Sequence, residues 1–243
     1  MRVKWGVAAI ILCGPSTGSL AATDVTPLLL VELFTSQGCS SCPPADAILA
    51  KMSERTDMVV LGWHVDYWDS QGWADPFAIS AASARQRDYQ SAFHKQEIYT
   101  PQMVIDGTVA IPGNNQDVVV QTLNLVRSKK AIGPVVTLTR QRSNALSIDI
   151  SGATIESKGV VWLALYETSR TVEVKRGENR GRTILDVNIV REVRKVGKYS
   201  GTPCTLSINL PPAAWGQGVA VWVQPSSLGA VSAVAALHPV AAP

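Results

Sequence analysis

The stretch Val31-Glu32-Leu33-Phe34-Thr35-Ser36-Gln37-Gly38-Cys39-Ser40-Ser41-Cys42-Pro43-Pro44-Ala45-Asp46 changes its periodicity half-way along. From Leu28 to Phe34 the chain is apolar on both alternating sides, broken only by Glu32, as in an interior strand of a parallel or mixed sheet. Beyond Cys42 the pattern becomes helical. Pro43 and Pro44 are tolerated in a first turn, Ser40 and Ser41 offer caps, and Ala47, Ile48 and Met52 recur at helical spacing. Cys39 and Cys42 therefore fall where a strand hands over to a helix. Free backbone N–H groups and the helix dipole at such a place favour a thiolate, and two intervening residues let the second thiol resolve a mixed disulfide made by the first. Cys39 is expected to be the exposed attacker. Two other readings stand beside this one: an inert structural disulfide, or half of a zinc site that would need Cys204 and histidines to complete it.

Downstream, Met58–Val65 reads as a second strand, Asp66–Pro76 as a loop rich in Trp, Asp and Gly, and Ala78–His94 as a helix. Met103–Ile111 reads as a hairpin turning at Asp106-Gly107, and Asn115–Lys129 as an amphipathic helix. After Gly133-Pro134 the rhythm shifts to short alternating runs: 135–139, 146–150, 160–166, 171–175, 184–193, 206–210 and 219–223. Turn-rich stretches such as Arg142-Ser143-Asn144 separate them, the pattern of an antiparallel sandwich or barrel.

The start of the chain, with Arg2 and Lys4, an apolar run to about Cys13 and small residues around Ser19-Leu20-Ala21, reads as a secretory signal. Its apolar run is too short to span a bilayer, and Cys13 is expected to be discarded with it. Of 22 Lys and Arg, those two lie in the leader, so 20 face 19 Asp and Glu. That balance argues against nucleic acid as a partner. The Ala-rich end from Leu228 carries prolines that argue against a membrane span.

Tyr99-Thr100-Pro101-Gln102-Met103-Val104-Ile105-Asp106-Gly107 resembles the Pro-containing passage of glutaredoxins and the Pro loop of thioredoxins, where a cis-proline lies beside the cysteines. Together with the opening stretch, the runs Trp63-His64-Val65-Asp66-Tyr67-Trp68-Asp69 and Gly177-Glu178-Asn179-Arg180-Gly181-Arg182-Thr183 resemble the successive motifs of a secreted bacterial thioredoxin-like family described only as of unknown function. The resemblance covers nearly the whole mature chain. It implies an α/β thioredoxin-like domain followed by a β-rich, antiparallel, sandwich-like region: signal peptide 1–22, thioredoxin-like domain 23–132, β-rich domain 133–243. It implies a redox role with Pro101 organising the substrate loop. Glu32 takes roughly the place of the buried acid of thioredoxins, with one more residue between acid and motif; an ordinary salt-bridged strand residue is the other reading.

His64, Asp66, Trp68, Asp69 and Trp73 gather after the second strand, at the sheet edge where open α/β sheets place their sites. With Thr100, the first three are expected to line a groove beside Cys39. Arg85 and Arg87 read as a solvated helix face, Glu178–Arg182 as a hairpin turn or a groove contact, and Cys204 as a lone thiol. The expected function is an exported, periplasmic or secreted thiol/disulfide oxidoreductase without metal or organic cofactor. Cys39 would be the nucleophile and Cys42 the resolving thiol. Its partners would be protein or small thiols and a membrane redox partner, without stable membrane insertion. The alternative is a binding module with a structural disulfide, handling copper through Cys39, Cys42 and His64 or His94.

Overall fold

The structure is a computed structural model that describes residues 10–12, 27–141, 145–152, 157–211, 214 and 216–239. Apart from Ile10–Leu12, the stretch expected to be a signal peptide lies outside the described residues, as do Cys13, the Arg142-Ser143-Asn144 stretch and the last four residues.

The chain forms a mixed α/β structure with a large mixed sheet and three helices among the described residues. In chain order these are β1 (Ile10–Leu12), β2 (Leu29–Thr35), α1 (Pro43–Ser53), β3 (Met58–His64), α2 (Ser80–Ala92), β4 (Gln102–Ile105), β5 (Val109–Pro112) and α3 (Gln116–Lys129). There follow β6 (Val135–Arg140), β7 (Ala145–Ser151), β8 (Gly159–Glu173), β9 (Thr183–Tyr199), β10 (Cys204–Asn209), β11 (Gly218–Gln224) and β12 (Ala233–Leu237). Local chemistry sets several of these boundaries. Prolines occupy the first positions of α1, and the Asn115 side chain accepts from the N–H groups of Asp117 and Val118 to start α3. Asp106 and Gly107 both take positive φ (51° and 67°) in the turn that joins β4 to β5.

Eight strands form one sheet in the order β12-β11-β8-β9-β3-β2-β4-β5, and β1-β10-β7-β6 form a second. The large sheet runs unbroken across residue 132. β2 and β3 pair in parallel from Leu29↔Met58 to Thr35↔His64, β4 adds antiparallel to β2, and β9 meets β3 at Gly62↔Ile189. The runs 160–166 and 171–175 are not two strands: residues 160–173 lie in β8, and 174–175 begin the turn after it. Polar Glu167–Arg170 continues β8 because its main chain stays paired with β9, through shifts at Val161/Trp162 and Leu165/Tyr166.

Three apolar clusters fill the molecule. Leu29, Val31 and Leu33 pack against α1 and α3, whereas Leu30 and Phe34, from the other face of the same strand, pack with Trp63, Tyr89 and Trp222. Leu146, Ile148, Leu163, Leu206 and Val221 join the two sheets in the third. Glu32 faces the side of Leu30 and Phe34. There it meets Arg85, which is 4 % exposed and not part of a solvated face as the helical pattern suggested. The guanidinium donates to Glu32 Oε1 at 2.5 Å and Oε2 at 2.9 Å, and to Tyr89 and Gln224 at 3.0 Å. Four rings surround it, with centroids 5.0–5.4 Å away: Trp63, Tyr89, Trp162 and Trp222. Arg87, two residues on, is exposed.

Removing one partner of such a pair strands a buried charge. Arg85→Met is expected to cost about 3–5 kcal/mol, while Glu32→Leu/Arg85→Met together cost clearly less than either change alone. Urea unfolding of the three variants measures both; an Arg85→Met cost below about 1 kcal/mol would show that the pair is not desolvated.

Candidate functional site around the Cys39–Cys42 disulfide

β2 ends at Thr35, and Ser36–Cys42 turns the chain into α1. The turn is held from within: Cys39 N–H donates to Ser36 O at 3.1 Å, and Cys42 N–H to Cys39 O at 3.2 Å. Cys39 and Cys42 are joined as a disulfide with their Cα atoms 5.4 Å apart. Two expectations need correcting. Neither cysteine has exposed surface, whereas Ser40 and Ser41 between them are exposed. The expected free N–H donors are also missing. Pro43 and Pro44 carry no N–H, and those of Ala45 and Asp46 already donate to Cys42 O.

Three segments surround the loop. The Thr100–Pro101 bond is cis, Pro101 is buried, and the Thr100 carbonyl lies 3.5 Å from Ser41 Oγ, which is itself 3.3 Å from Cys39 Sγ. Trp68, half-buried, donates from its indole N–H to Thr100 Oγ1 at 2.8 Å, and a Cβ on Gly38 would lie 3.3 Å from Trp68 Cβ. Asp66 turns the other way, bound to Ser83 of α2 through both its N–H and its carboxylate. The third segment is the turn between β8 and β9. Asn179 donates from Nδ2 to Gln37 O at 2.9 Å and to Cys39 O at 2.8 Å, and Glu178 accepts from Ser40 N–H at 3.1 Å. Gly177, at φ 72°, lets this turn close on Trp73. Asn179 Oδ1 is buried without a hydrogen-bond partner among the described residues, a deficit that ordinarily costs about 1–3 kcal/mol.

Beside the loop lies a buried polar cluster that sequence reasoning caught only through His64. His64 Nδ1 donates to Asp75 Oδ2 at 2.8 Å, and its Nε2 is 3.7 Å from Asp186 Oδ1. Asp75 also accepts from the N–H groups of Gln37 and Phe77, Asp186 accepts from Gln37 Nε2 at 2.6 Å, and Asp46 accepts from Thr35 Oγ1 at 2.7 Å. Burial drives the imidazolium down, yet Asp75, then Asp186 and Asp46, outweigh it and hold His64 up at about 9. Burial, reinforced by the Asp186 charge, pushes Asp46 up to about 7, against the pull of its Thr35 hydrogen bond. Asp75 also meets a burial penalty, but His64 and two backbone N–H groups keep it below the usual carboxylate range. One cation thus serves three acids, and Asp46 is the acid left nearest to protonation. The sequence carries a trace of this cluster: in β9 apolar Leu185 is exposed while polar Asp186 and Asn188 are buried, an inversion of the usual alternation.

Glu32 points to the α2 face and its carboxylate is fully engaged by Arg85 and Tyr89. Cys204 opens β10 and packs against the core between the sheets. His94 sits exposed just after α2, and no group of three or more His, Cys, Asp or Glu among the described residues is placed to hold a metal ion. No described helix is long and apolar enough to cross a membrane.

The family model described as Protein of unknown function (DUF1223) matches residues 30–224, a span that includes the disulfide, the buried cluster and the β8–β9 turn. The chain belongs to the DUF1223 family. It is similar to the crystal structure of a structural-genomics target protein from Agrobacterium tumefaciens, with 31 % identity over 91 % of this chain and 97 % of that one, at a TM-score of 0.77. No curated protein matches it. The DUF1223 assignment carries no substrate, so the reading of the site rests on its chemistry.

The two shifted groups both make stability fall as pH rises, in different windows. His64 has its folded value raised, so its contribution is complete below about 6.5 and is lost as pH rises through about 9. Asp46 is also raised, but its ionised form is the penalised one, so stability falls between about pH 4 and 7. Asp46→Asn is therefore expected to stabilise the protein at pH 8 relative to pH 4, and the His64 ring proton to titrate near 9 by NMR. A His64 midpoint near 6.5 would show the carboxylates to be neutral.

Proposed function

We propose that this protein is a thiol/disulfide oxidoreductase working outside the cytoplasm, with residues 23–132 as a thioredoxin-like domain and 133–243 as a β-rich domain that reaches back over its site. The observation that carries this reading is the Cys39–Cys42 disulfide in the β2-to-α1 turn with the Thr100–Pro101 segment set against it. In the exchange, a partner thiolate attacks Cys39 Sγ, the Cys39–Cys42 bond breaks, and Cys42 leaves as a thiolate that takes up a proton. The partner's second thiolate then attacks its own sulfur in the mixed disulfide and releases Cys39, which is protonated in turn. The partner dithiol loses two electrons and becomes a disulfide; the reverse steps oxidise the protein. A protein thiol or a small thiol serves, and a membrane redox partner would restore the pair.

Asp46 replaces Glu32 as the acid suited to trade a proton with Cys42. It stands one helical turn after Cys42, its N–H donates to the Cys42 carbonyl at 3.1 Å, and its carboxyl is half-protonated near neutrality. Glu32 is committed to Arg85. Because both cysteines are buried, attack on Cys39 requires the Ser40–Ser41 stretch and the turn around Asn179 to part. That burial is also the observation favouring a second reading, a structural disulfide in a binding module.

The two readings separate on single substitutions. Cys42→Ser is expected to accumulate a mixed disulfide on Cys39 when offered disulfide-bearing proteins: the Cys39 thiolate attacks the partner disulfide and expels its second sulfur as a thiol, and the resolving step is lost, whereas Cys39→Ser forms none. Mass spectrometry of non-reduced protein reads the adduct. If neither variant forms an adduct and the wild-type disulfide resists dithiothreitol until the protein unfolds, the bond is structural.

A further inference from the structure

We infer that the β8–β9 turn is a docking surface for an acidic, cysteine-bearing segment of a partner protein, an inference that rests on the oxidoreductase reading. The turn Val174–Arg182 carries Lys175, Arg176, Arg180 and Arg182, all exposed, against the single acid Glu178. None of the four cations has an ion-pair partner among the described residues. The mature chain as a whole is nearly balanced, with 20 basic and 19 acidic side chains once Arg2 and Lys4 are set aside, so this charge is concentrated rather than general.

The concentration sits at the disulfide. Asn179 and Glu178 tie the turn to the backbone of Gln37, Cys39 and Ser40, so the turn that carries the four cations is held against this loop instead of standing as a free hairpin tip. A cavity of about 460 Å³ lies between the start of β9 and the first turns of α1, lined by Arg182 and Leu185 on one side and by Pro43, Ala47 and the buried acid Asp46 on the other. Leu185 is a large apolar side chain left 48 % exposed there. A cationic rim leading to a partly apolar cleft beside a disulfide suits an extended segment with carboxylates flanking a cysteine and an apolar side chain for the cleft. A small anionic thiol would meet the rim but leave the cleft unfilled. Charges so placed raise the encounter rate of an oppositely charged partner, and salt removes the gain.

The test offers the full-length oxidised protein two cysteine peptides that differ only in flanking residues, Glu or Lys. Each rate of disulfide reduction is divided by that peptide's rate with a small uncharged disulfide, which cancels the effect of the flanks on the thiol itself. At low ionic strength the Glu peptide is expected to react at least about tenfold faster. The ratio should fall toward one at about 0.5 M salt, where the screening length is only a few ångströms. It should also fall toward one in Arg176→Ser/Arg180→Ser/Arg182→Ser and invert in Arg180→Glu/Arg182→Glu, with circular dichroism confirming that both variants fold. Equal normalised rates for the two wild-type reactions, or a preference that survives salt and substitution, would overturn the docking surface. A preference shown equally by a small anionic thiol would overturn the assignment to a protein segment. If dithiothreitol also leaves the native disulfide intact, the oxidoreductase reading itself has failed; if it reduces the disulfide while the peptides are not distinguished, only the docking surface has.

Discussion

A buried guanidinium has to be satisfied from every side, and in this chain the groups that satisfy Arg85 come from five elements, its own helix included. Glu32 is on β2, Tyr89 lies one turn further along α2, Trp63 is on β3, and Trp162, Trp222 and Gln224 come from β8 and β11. Losing any one leaves a charge or a polar atom in a low-dielectric interior, so the arrangement is nearly all-or-none. The pair thereby fixes α2 on the sheet and sets the strands after residue 132 at a defined place beside β2 and β3. β9 lies between β8 and β3 and inherits that placement, and the turn before β9 is carried to the cysteine loop. The geometry around the disulfide thus depends on an ion pair on the opposite face of the same strand.

β2 itself shows how a two-residue period sorts chemistry. Leu30, Glu32 and Phe34 face α2 and form the anchoring side; Leu29, Val31 and Leu33 face α1 and α3. Thr35, the next residue of that second series, hydrogen-bonds Asp46. The acid in the strand and the acid in the helix therefore cannot exchange roles. The Glu32 carboxylate is bound by Arg85 and Tyr89 and is structural, whereas Asp46, with the Thr35 hydroxyl as donor and other acids nearby, is pushed up to about 7 by burial.

The parts of the fold legible in the sequence are those specified by neighbours in the chain. The apolar run of β2, the prolines opening α1, the Asp106-Gly107 turn and the Asn115 cap are local signals, and each element lies where its signal stands. Cys39, Cys42, Thr100, Pro101 and Trp68 were also legible, and the structure brings them together. What escaped was whatever depends on distant partners. Arg85 looks like any helix-surface arginine until three tryptophans from separate strands close around it. Asp46, Asp75, Asp186 and Asn179 lie 4 to 144 residues from the nearer cysteine in sequence and become one site only when β9 is in place. The length of β8 was hidden because Glu167–Arg170 is polar enough to read as a turn, although its main chain remains in the ladder.

The placement of charge gives the site a direction. The buried cluster beside Cys42 is net negative if all its groups ionise, so a thiolate forming there is opposed and proton uptake is favoured; protonating Asp46 lessens that repulsion. The turn that touches Cys39 is cationic and wet, so an anionic sulfur there is welcomed, whether it belongs to Cys39 or to an incoming partner. If the disulfide opens as proposed, these charges favour a thiolate at Cys39 over one at Cys42. In the exchange proposed above, an asymmetry of that sign would make Cys39 the sulfur that meets a partner and Cys42 the one that leaves with a proton. It arises from groups brought in by β9 and its turn and from the first turn of α1, rather than from the helix N-terminus, whose donors are already spent on the Cys42 carbonyl.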